Sequence, residues 1–256
     1  MKILLLDIET APHRVYAWGL WDQNIGLNQI EEPGYTLCWA AKWFGNKKMM
    51  FSSLYENGKI SEAARRRMLE KAHALLDEAD VVIHYYGEKF DIPTLNQEFL
   101  AMGFLPPSPY KQIDLLKTVK RQFRLASNKL DYVATHLGLA GKIEHKGMDL
   151  WRGCMAGDPA AWKVMERYNK RDVTLLEEVY IFCLPWIVNH PNYALYDDKG
   201  VPVCPNCGGT KLQRQGYRYT NTMRYRQHQC QDCGKWSRER INSSTDVQKA
   251  NTLVGV

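Results

Sequence analysis

The first ten residues, MKILLLDIET, contain two acids whose type and spacing suit metal chemistry. The apolar run from Ile3 to Leu6 predicts a strand that is buried on both faces. Asp7 and Glu9 follow two residues apart, so in a strand their side chains point to the same side. Neighbouring carboxylates repel each other unless a cation neutralises them, and Mg²⁺ binds through oxygen ligands of this kind. The pair indicates a divalent-metal site; the plainer alternative is a strand that ends in two solvated acids.

Two later stretches contain acids in comparable settings. Residues 84–95, HYYGEKFDIPTL, place Asp91 just after a short buried strand and at the start of a helix. Residues 168–172, YNKRD, lie within the last long helix, where Tyr168 and Asp172 are four residues apart and share a face. Each stretch alone is a weak signal, and the set is fairly strong.

In these stretches the sequence resembles the DEDD (DnaQ-like) superfamily of 3′-to-5′ exonucleases. The first motif of that superfamily, D-x-E, matches Asp7 and Glu9, and the third, Tyr-x3-Asp, matches Tyr168 and Asp172. The second motif is usually N-G-x-x-F-D-x-P-x-L in the branch related to family B DNA polymerases. Its matches here are Gly87, Phe90, Asp91, Pro93 and Leu95.

The resemblance covers about residues 1 to 185 and implies a ribonuclease H-like fold. Residues 130–139, LDYVATHLGL, also look like the helix that precedes the third motif in that branch. A His-x4-Asp variant of the third motif would need histidine at Arg167, so the chain is of the tyrosine type. One departure is Tyr86, which stands where the branch usually has Asn and which puts contacts to the terminal nucleotide in doubt.

The resemblance implies that Asp7, Glu9, Asp91 and Asp172 hold two Mg²⁺ or Mn²⁺ ions, with Asp7 as the bridging ligand. Phosphodiester hydrolysis needs a nucleophilic water and stabilisation of charge on the attacking and leaving oxygens, which two metals about 3.5 to 4 Å apart supply. Tyr168 would orient or deprotonate the attacking water. The alternative for Tyr168 is an aromatic side chain that packs on an amphipathic helix.

Near the C-terminus, two C-x2-C pairs form the strongest local signal. They lie at residues 204–207 and 230–233, and a glycine directly follows each pair. Four thiolates in this pattern suit a tetrahedral Zn²⁺ site and resemble a zinc ribbon, with Cys204, Cys207, Cys230 and Cys233 as ligands. Thioredoxin-like redox chemistry is the competing interpretation, but it needs one such pair in a βαβ unit. The remaining cysteines, Cys38, Cys154 and Cys183, are predicted to be core residues.

Candidate nucleic-acid contacts combine basic and aromatic residues. The expected contacts are Thr10, Phe90, Lys117, Lys120, Arg121, Arg124, Arg214, Arg218, Arg224, Arg226 and Trp236. Lys117 to Arg124 fall on one side of a predicted helix, and the later residues belong to the ribbon. A solvated basic face, or a purely structural or protein-docking ribbon, explains these residues as well. Trp18 and Trp21 could stack on a base, but core packing is the preferred prediction.

The elements that must position these residues follow from periodicity and turn signals. Residues 35–44 and 48–53 read as strands around a Gly45-Asn46 turn, and Ser61 is a candidate N-cap for a helix that ends near Glu78. Further strands are expected at 80–84 and 110–114, with helices at 93–102 and 159–183, and residues 11–34 are expected to be irregular. Asp114 is predicted as an N-cap and Asp131 as a surface helix residue. The predicted fold is α/β: a ribonuclease H-like mixed sheet flanked by helices, plus a small C-terminal zinc ribbon.

The predicted domains are an exonuclease domain at 1–185, a linker at 186–202, a zinc ribbon at 203–241 and a flexible tail at 242–256. Charge follows this division: residues 199–256 contain ten Lys/Arg against three Asp/Glu, and the rest of the chain is nearly neutral. A basic appendage on a neutral body indicates a partner with a phosphate backbone. No apolar stretch reaches the roughly 18 to 20 residues of a membrane span, and seven cysteines fit a reducing compartment. We therefore expect a cytoplasmic protein of a bacterial or virus-infected cell, with no membrane partner.

These observations predict a metal-dependent 3′-to-5′ exonuclease that acts on DNA, preferably single-stranded. DNA is favoured over RNA because the motif residues are most similar to those of the polymerase-associated branch. An RNA-processing exoribonuclease, a catalytically silent nucleic-acid-binding adaptor, and a transposase- or resolvase-like nuclease are the alternatives.

Overall fold

The computed structural model describes residues 1–141, 143, 147–196 and 200–255. The chain divides into two compact units, Lys2–Val179 and Tyr180–Val256, the second of which also includes Met1. The strands are β1 (Ile3–Thr10), β2 (Arg14–Val15), β3 (Ile30–Glu32), β4 (Thr36–Trp43), β5 (Met49–Ser53), β6 (Tyr55–Glu56), β7 (Lys59–Ile60), β8 (Val81–His84), β9 (Lys111–Asp114), β10 (Leu212–Tyr219), β11 (Arg224–Cys230) and β12 (Trp236–Arg238). The helices are α1 (Glu62–Glu78), α2 (Asp91–Ala101), α3 (Leu115–Gln122), α4 (Leu130–His136), α5 (Met148–Met155), α6 (Pro159–Cys183) and α7 (Asp246–Asn251).

The first unit is built on a five-stranded mixed sheet in the order β5-β4-β1-β8-β9. Strand β1 is central: it pairs antiparallel with β4 and parallel with β8, and β8 pairs parallel with β9. The antiparallel β4–β5 pair needs only a tight turn, whereas the parallel β8–β9 pair needs the crossover through α2. The predicted α/β mixed sheet flanked by helices is confirmed.

One face of β1 supports the hydrophobic core. Leu4, Leu6 and Ile8 alternate along the strand and pack in one buried cluster with Trp39 of β4 and Met68 of α1. Ser61 caps α1 as predicted, because its Oγ accepts a hydrogen bond from the backbone N–H of Ala64 at 3.1 Å. The three cysteines outside the C-x2-C pairs are buried, which confirms their predicted core positions: Cys38, Cys154 and Cys183.

Two helix boundaries differ from the predictions. Helix α2 begins at Asp91 rather than Pro93, since the first turn of a helix has no intrahelical acceptors for its N–H groups and tolerates proline there. Helix α3 ends at Gln122, so Arg124 lies beyond the helix that is predicted to carry it.

The predicted hairpin is confirmed by β4 and β5. Gly45 in the connecting turn has a φ angle of 79°, which explains why a glycine occupies this position.

The segment predicted as irregular contains a short hairpin. Strands β2 and β3 pair antiparallel, with a 3₁₀ turn at Leu27–Gln29 before β3. Trp18 is 98% exposed and Trp21 is 83% exposed, so the prediction that both pack in the core is wrong. They lie in the loop between the two paired strands, outside the hydrophobic cluster of the first unit.

The second unit contains the three-stranded antiparallel sheet β10-β11-β12. Before the sheet in the same unit, the side-chain amide of Asn206 donates to the carbonyl oxygens of Leu184 at 2.7 Å and Ile187 at 3.1 Å. The Tyr180 hydroxyl and His190 Nε2 are 2.7 Å apart. Residues 197–199 of the predicted linker and Val256 of the predicted tail lie outside the described residues. The predicted domain boundaries stay predictions, although the tail range includes α7.

Across the described ranges, the helices are all too short or too polar to cross a lipid bilayer.

Candidate functional site

Three of the four predicted metal-binding acids come together at the end of β1. Asp7 and Glu9 lie on β1 and Asp172 lies on α6, and each offers one carboxylate oxygen within 4.8 Å of the other two. Asp172 is 2% exposed, whereas Asp7 and Glu9 are half-buried. Oxygen donors this close fit a hard divalent cation, which binds carboxylates and would offset their mutual repulsion. The donor set therefore fits the divalent metals expected at this position.

Sheet pairing fixes the two acids of β1. Asp7 lies opposite Ala40 and Glu9 opposite Cys38 in the antiparallel β1–β4 pair, and the register shifts only after Glu9. Because side chains two residues apart share a face, both acids point from one side of the sheet. The buried residues that precede the two acids hold the strand in place, so both carboxylates are attached to a rigid element.

Asp91 approaches β1 from α2. Its Oδ1 accepts a hydrogen bond from the backbone N–H of Ile8, between the two acids of β1, at 3.1 Å. Asp91 is 4% exposed, and burial raises the pKa of its carboxyl group to about 7, while hydrogen bonds from the backbone N–H groups of Ile8 and Asp91 itself act to lower it. The cluster of three acids does not include Asp91, although its carboxylate lies against the same strand.

The loop before α2 has a constrained backbone. Tyr86 has a φ of 71°, and its backbone N–H donates to Asp114 Oδ1 at 2.9 Å. A Cβ atom on Gly87 would lie 2.5 Å from Cγ of His84, so only glycine fits there. The predicted N-cap role of Asp114 is confirmed by its bond from the Leu116 N–H at 3.0 Å. The same carboxylate thus caps α3 and holds the loop that leads to Asp91.

Asn169 is a site residue that the sequence argument missed. It is fully buried, and its Nδ2 donates to Asp7 Oδ2 at 2.7 Å and to the Asp7 carbonyl oxygen at 3.3 Å. An amide donor fixes one carboxylate oxygen of Asp7 without adding charge. The sequence offers one signal for it, a polar residue directly after Tyr168 in the third motif.

The remaining predicted residues around the acids differ in exposure. Tyr168 lies one helical turn from Asp172, is 8% exposed and packs edge-on against Trp151 with ring centroids 6.1 Å apart. Phe90 is 42% exposed at the start of α2, and Thr10 ends β1. The basic residues in and after α3 are exposed, and Lys117 pairs with Glu88.

The four cysteines of the C-x2-C pairs converge in the second unit. Cys204 and Cys233 have sulfur atoms 3.6 Å apart, as do Cys207 and Cys230, and all four sulfurs lie within 4.8 Å of one another. Thiolates at about 2.3 Å from one zinc ion lie about 3.8 Å from each other in a tetrahedron, so this spacing fits zinc. It is far from the disulfide length of about 2.05 Å.

Local backbone geometry explains the glycines beside the cysteine pairs. Gly208 and Gly234 have φ angles of 71° and 81°, and their N–H groups donate to the carbonyl oxygens of Cys204 and Cys230 at 2.9 Å in both cases. Burial raises the pKa of the Cys233 thiol to about 11, and a bound cation would favour its thiolate form.

The strand register distributes the ribbon side chains over two faces. Tyr217 pairs with Arg226 and Tyr219 with Arg224, which puts these four residues on one face. The other face contains Arg218, Tyr225, Trp236 and Arg238. On the first face the Arg224 guanidinium lies 4.4 Å from the Tyr217 ring centroid, and on the second Arg238 lies 4.0 Å from that of Tyr225. The ribbon thus has cation–π pairs on both faces.

Comparison of the sequence with known families agrees with this fold. Residues 4–183 match the family model described as the RNase_H superfamily, and the chain therefore belongs to the RNase_H superfamily. A solved structure to which it is similar is the family B DNA polymerase from the hyperthermophilic archaeon Pyrobaculum calidifontis, with 16% sequence identity and a TM-score of 0.47. That match covers 88% of this chain but 31% of the polymerase chain. No curated protein matches the chain.

Proposed function

We propose that the protein is a metal-dependent 3′-to-5′ exonuclease that hydrolyses phosphodiester bonds of DNA, preferably single-stranded. Membership of the RNase_H superfamily indicates a nuclease. The observation that carries the proposal is the convergence of Asp7, Glu9 and Asp172, whose carboxylate oxygens lie within 4.8 Å of one another. The Asp91 carboxylate of α2 accepts a hydrogen bond from the N–H of Ile8, between the two acids of β1.

In this proposal each residue of the site has a distinct role. Asp7, Glu9, Asp91 and Asp172 would hold two Mg²⁺ or Mn²⁺ ions, and Asn169 keeps the Asp7 carboxylate in place through its 2.7 Å hydrogen bond. When bound, such ions supply an activated water and stabilise charge on the leaving oxygen. Tyr168, one turn from Asp172, orients the attacking water.

The second unit would bind nucleic acid through a zinc ribbon. Its four cysteines fit zinc, and the excess of Lys/Arg in residues 199–256 suits a phosphate backbone. The basic contacts would come from Arg214, Arg218, Arg224 and Arg226, together with Trp236. Lys117, Lys120, Arg121 and Arg124, with Thr10 and Phe90, would contact the strand that enters the active site. The resemblance of the second motif to the polymerase-associated branch favours DNA, and a cytoplasmic location accords with the free cysteines.

End-labelled oligonucleotides test the direction and the substrate. Matched single-stranded DNA and RNA, labelled at the 5′ end, are incubated with the full chain and Mg²⁺ or Mn²⁺. We expect a ladder of stepwise shortened DNA products, a slower reaction on RNA, and no products with Asp7→Ala or with a chelator.

A 3′ label gives the complementary result. It should appear first as a mononucleotide, because removal begins at that end. Release of the 5′ terminal nucleotide first, or internal nicks in a circular substrate, would contradict the proposed exonuclease.

A further inference from the structure

We propose that the exposed loop between β2 and β3, residues 16–27, is a base-stacking platform that grips unpaired nucleotides of the substrate through Trp18 and Trp21. This deepens the proposed nuclease function and rests on it. This segment, the aromatic loop, contributes no residue to the acid cluster or to the four-cysteine cluster. It adds recognition of bases to a site whose other proposed contacts are made largely to phosphates.

The aromatic loop exposes large apolar side chains to solvent. Trp18 is 98% exposed and Trp21 is 83% exposed, beside Leu20 at 91%. Indole rings bury large apolar areas when they find a partner, so leaving two of them in water forgoes that stabilisation. Contiguous exposed apolar side chains of this kind mark interaction sites.

The loop is held in shape rather than left loose. At its base the Tyr16 N–H donates to the Gln29 carbonyl oxygen at 2.8 Å, and Arg14 pairs with Glu31 at 3.0 Å. At its tip the Gln23 side-chain amide donates to the Trp21 carbonyl oxygen at 2.7 Å. A Cβ atom on Gly19 would lie 2.9 Å from that amide nitrogen, so the glycine makes room for it. The two tryptophans are therefore presented on a preformed support, which lowers the entropy cost of binding.

The chemistry of the loop favours bases over phosphates. The chain has no Lys or Arg from residue 15 to residue 41, and the loop itself contains Asp22. A phosphate contact would need cations, whereas an aromatic ring can stack on any base, since every base has a π-face. The chain passes from β1, which bears Asp7 and Glu9, through β2 into the loop. Trp18 is nine residues after Glu9 in the sequence, a span of at most about 30 Å for an extended chain.

A binding experiment with abasic oligonucleotides tests this inference. The full-length protein, with its zinc retained and no Mg²⁺ or Mn²⁺ added so that no cleavage occurs, is titrated with fluorescein-labelled single-stranded oligothymidylate and with versions in which one abasic site is moved stepwise from the 3′ end. We expect one window of positions where loss of the base weakens binding by about 5- to 100-fold. Trp18→Ala and Trp21→Ala should weaken binding of the intact oligonucleotide by a similar factor and be insensitive to abasic sites in that window.

Leu20→Ala is the matched control because Leu20 is as exposed as the tryptophans but cannot stack. It should bind like the wild type and keep the abasic window. If Leu20→Ala weakens binding as much as the tryptophan variants, or if the tryptophan variants keep the window, the loop is a protein-docking or structural feature and the inference is wrong. If the wild type shortens oligonucleotides in Mg²⁺ while showing no window, the inference fails and the proposed nuclease stands. If the wild type neither binds nor shortens any oligonucleotide, both fail.

Discussion

At the scale of single residues, the acids depend on neutral neighbours for their position. The Asp7 carboxylate accepts a hydrogen bond from the Asn169 side-chain amide, and the Asp91 carboxylate accepts one from the Ile8 N–H. Partners that orient a ligand in this way typically change metal affinity by about 10- to 100-fold when they are removed. Asn169 therefore acts as a positioning residue: it touches Asp7 and no reacting group.

Asn169→Leu tests that role, since leucine has similar size but no donor. We expect Mn²⁺ affinity to fall by about 10-fold or more, measured by electron paramagnetic resonance, because one oxygen of Asp7 loses its fixed orientation. Asn169→Asp also loses the donor, but its negative charge attracts the cation, so it should lose less Mn²⁺ affinity than Asn169→Leu. Thermal unfolding of each variant without metal separates lost positioning from lost folding. An unchanged Mn²⁺ affinity in a folded Asn169→Leu protein would contradict the role.

At the scale of elements, the loop before α2 explains a departure noticed in the sequence. Tyr86 has a φ of 71°, a region that costs an ordinary side chain about 1 to 2 kcal/mol and that Asn and Gly tolerate better. The exonuclease branch that the sequence resembles usually has Asn at this position. The structure thus gives a conformational reason for Asn there, and the Tyr86 side chain, 48% exposed, loses little packing when replaced.

We therefore predict that Tyr86→Asn raises the free energy of unfolding by about 0.5 to 1 kcal/mol. Urea denaturation monitored by fluorescence and by circular dichroism measures it. Gly87→Ala is the opposing case, because its Cβ would lie 2.5 Å from the His84 ring, and it should destabilise the protein. A Tyr86→Asn protein that is less stable than the wild type would contradict the explanation.

Local sequence signals predict some of these elements and miss others. Strand β1, the β4–β5 hairpin and the α1 cap were predictable because apolar runs, a Gly-Asn turn and a serine cap are local signals. The aromatic loop was not: an aromatic-rich stretch predicts burial, and only the pairing of β2 with β3 leaves Trp18 and Trp21 in solvent. Asn169 was also missed, because its partner Asp7 is 162 residues away in the sequence.

At the scale of the whole molecule, two chemically different candidate metal centres lie in separate compact units. Oxygen ligands gather in Lys2–Val179 and sulfur ligands in Tyr180–Val256. Hard and soft donor sets select different ions, so Mg²⁺ or Mn²⁺ at the first and Zn²⁺ at the second should not exchange. Both clusters contain residues that the sequence singles out, because the cysteine spacing is local and the acids match motifs of the family that the sequence resembles.

Loss of one thiolate should affect only the second centre. We predict that Cys204→Ser lowers zinc content well below one ion per chain, weakens binding of oligonucleotides and leaves residual cleavage, because the acids remain. Plasma emission spectrometry gives the zinc content. Cys183→Ser, at a buried cysteine outside the cluster, should keep its zinc. Unchanged zinc in Cys204→Ser would overturn the four-cysteine assignment.

The most direct test of the central claim counts the divalent ions held by the acid cluster. Mn²⁺ titration of the wild type, followed by electron paramagnetic resonance, should saturate near two ions per chain. Asp172→Asn should lose at least one of them, and Asp131→Asn, an exposed acid on α4 outside the cluster, should bind as the wild type does. Equal Mn²⁺ binding by wild type and Asp172→Asn would contradict the account, since the carboxylates would then not share a metal site.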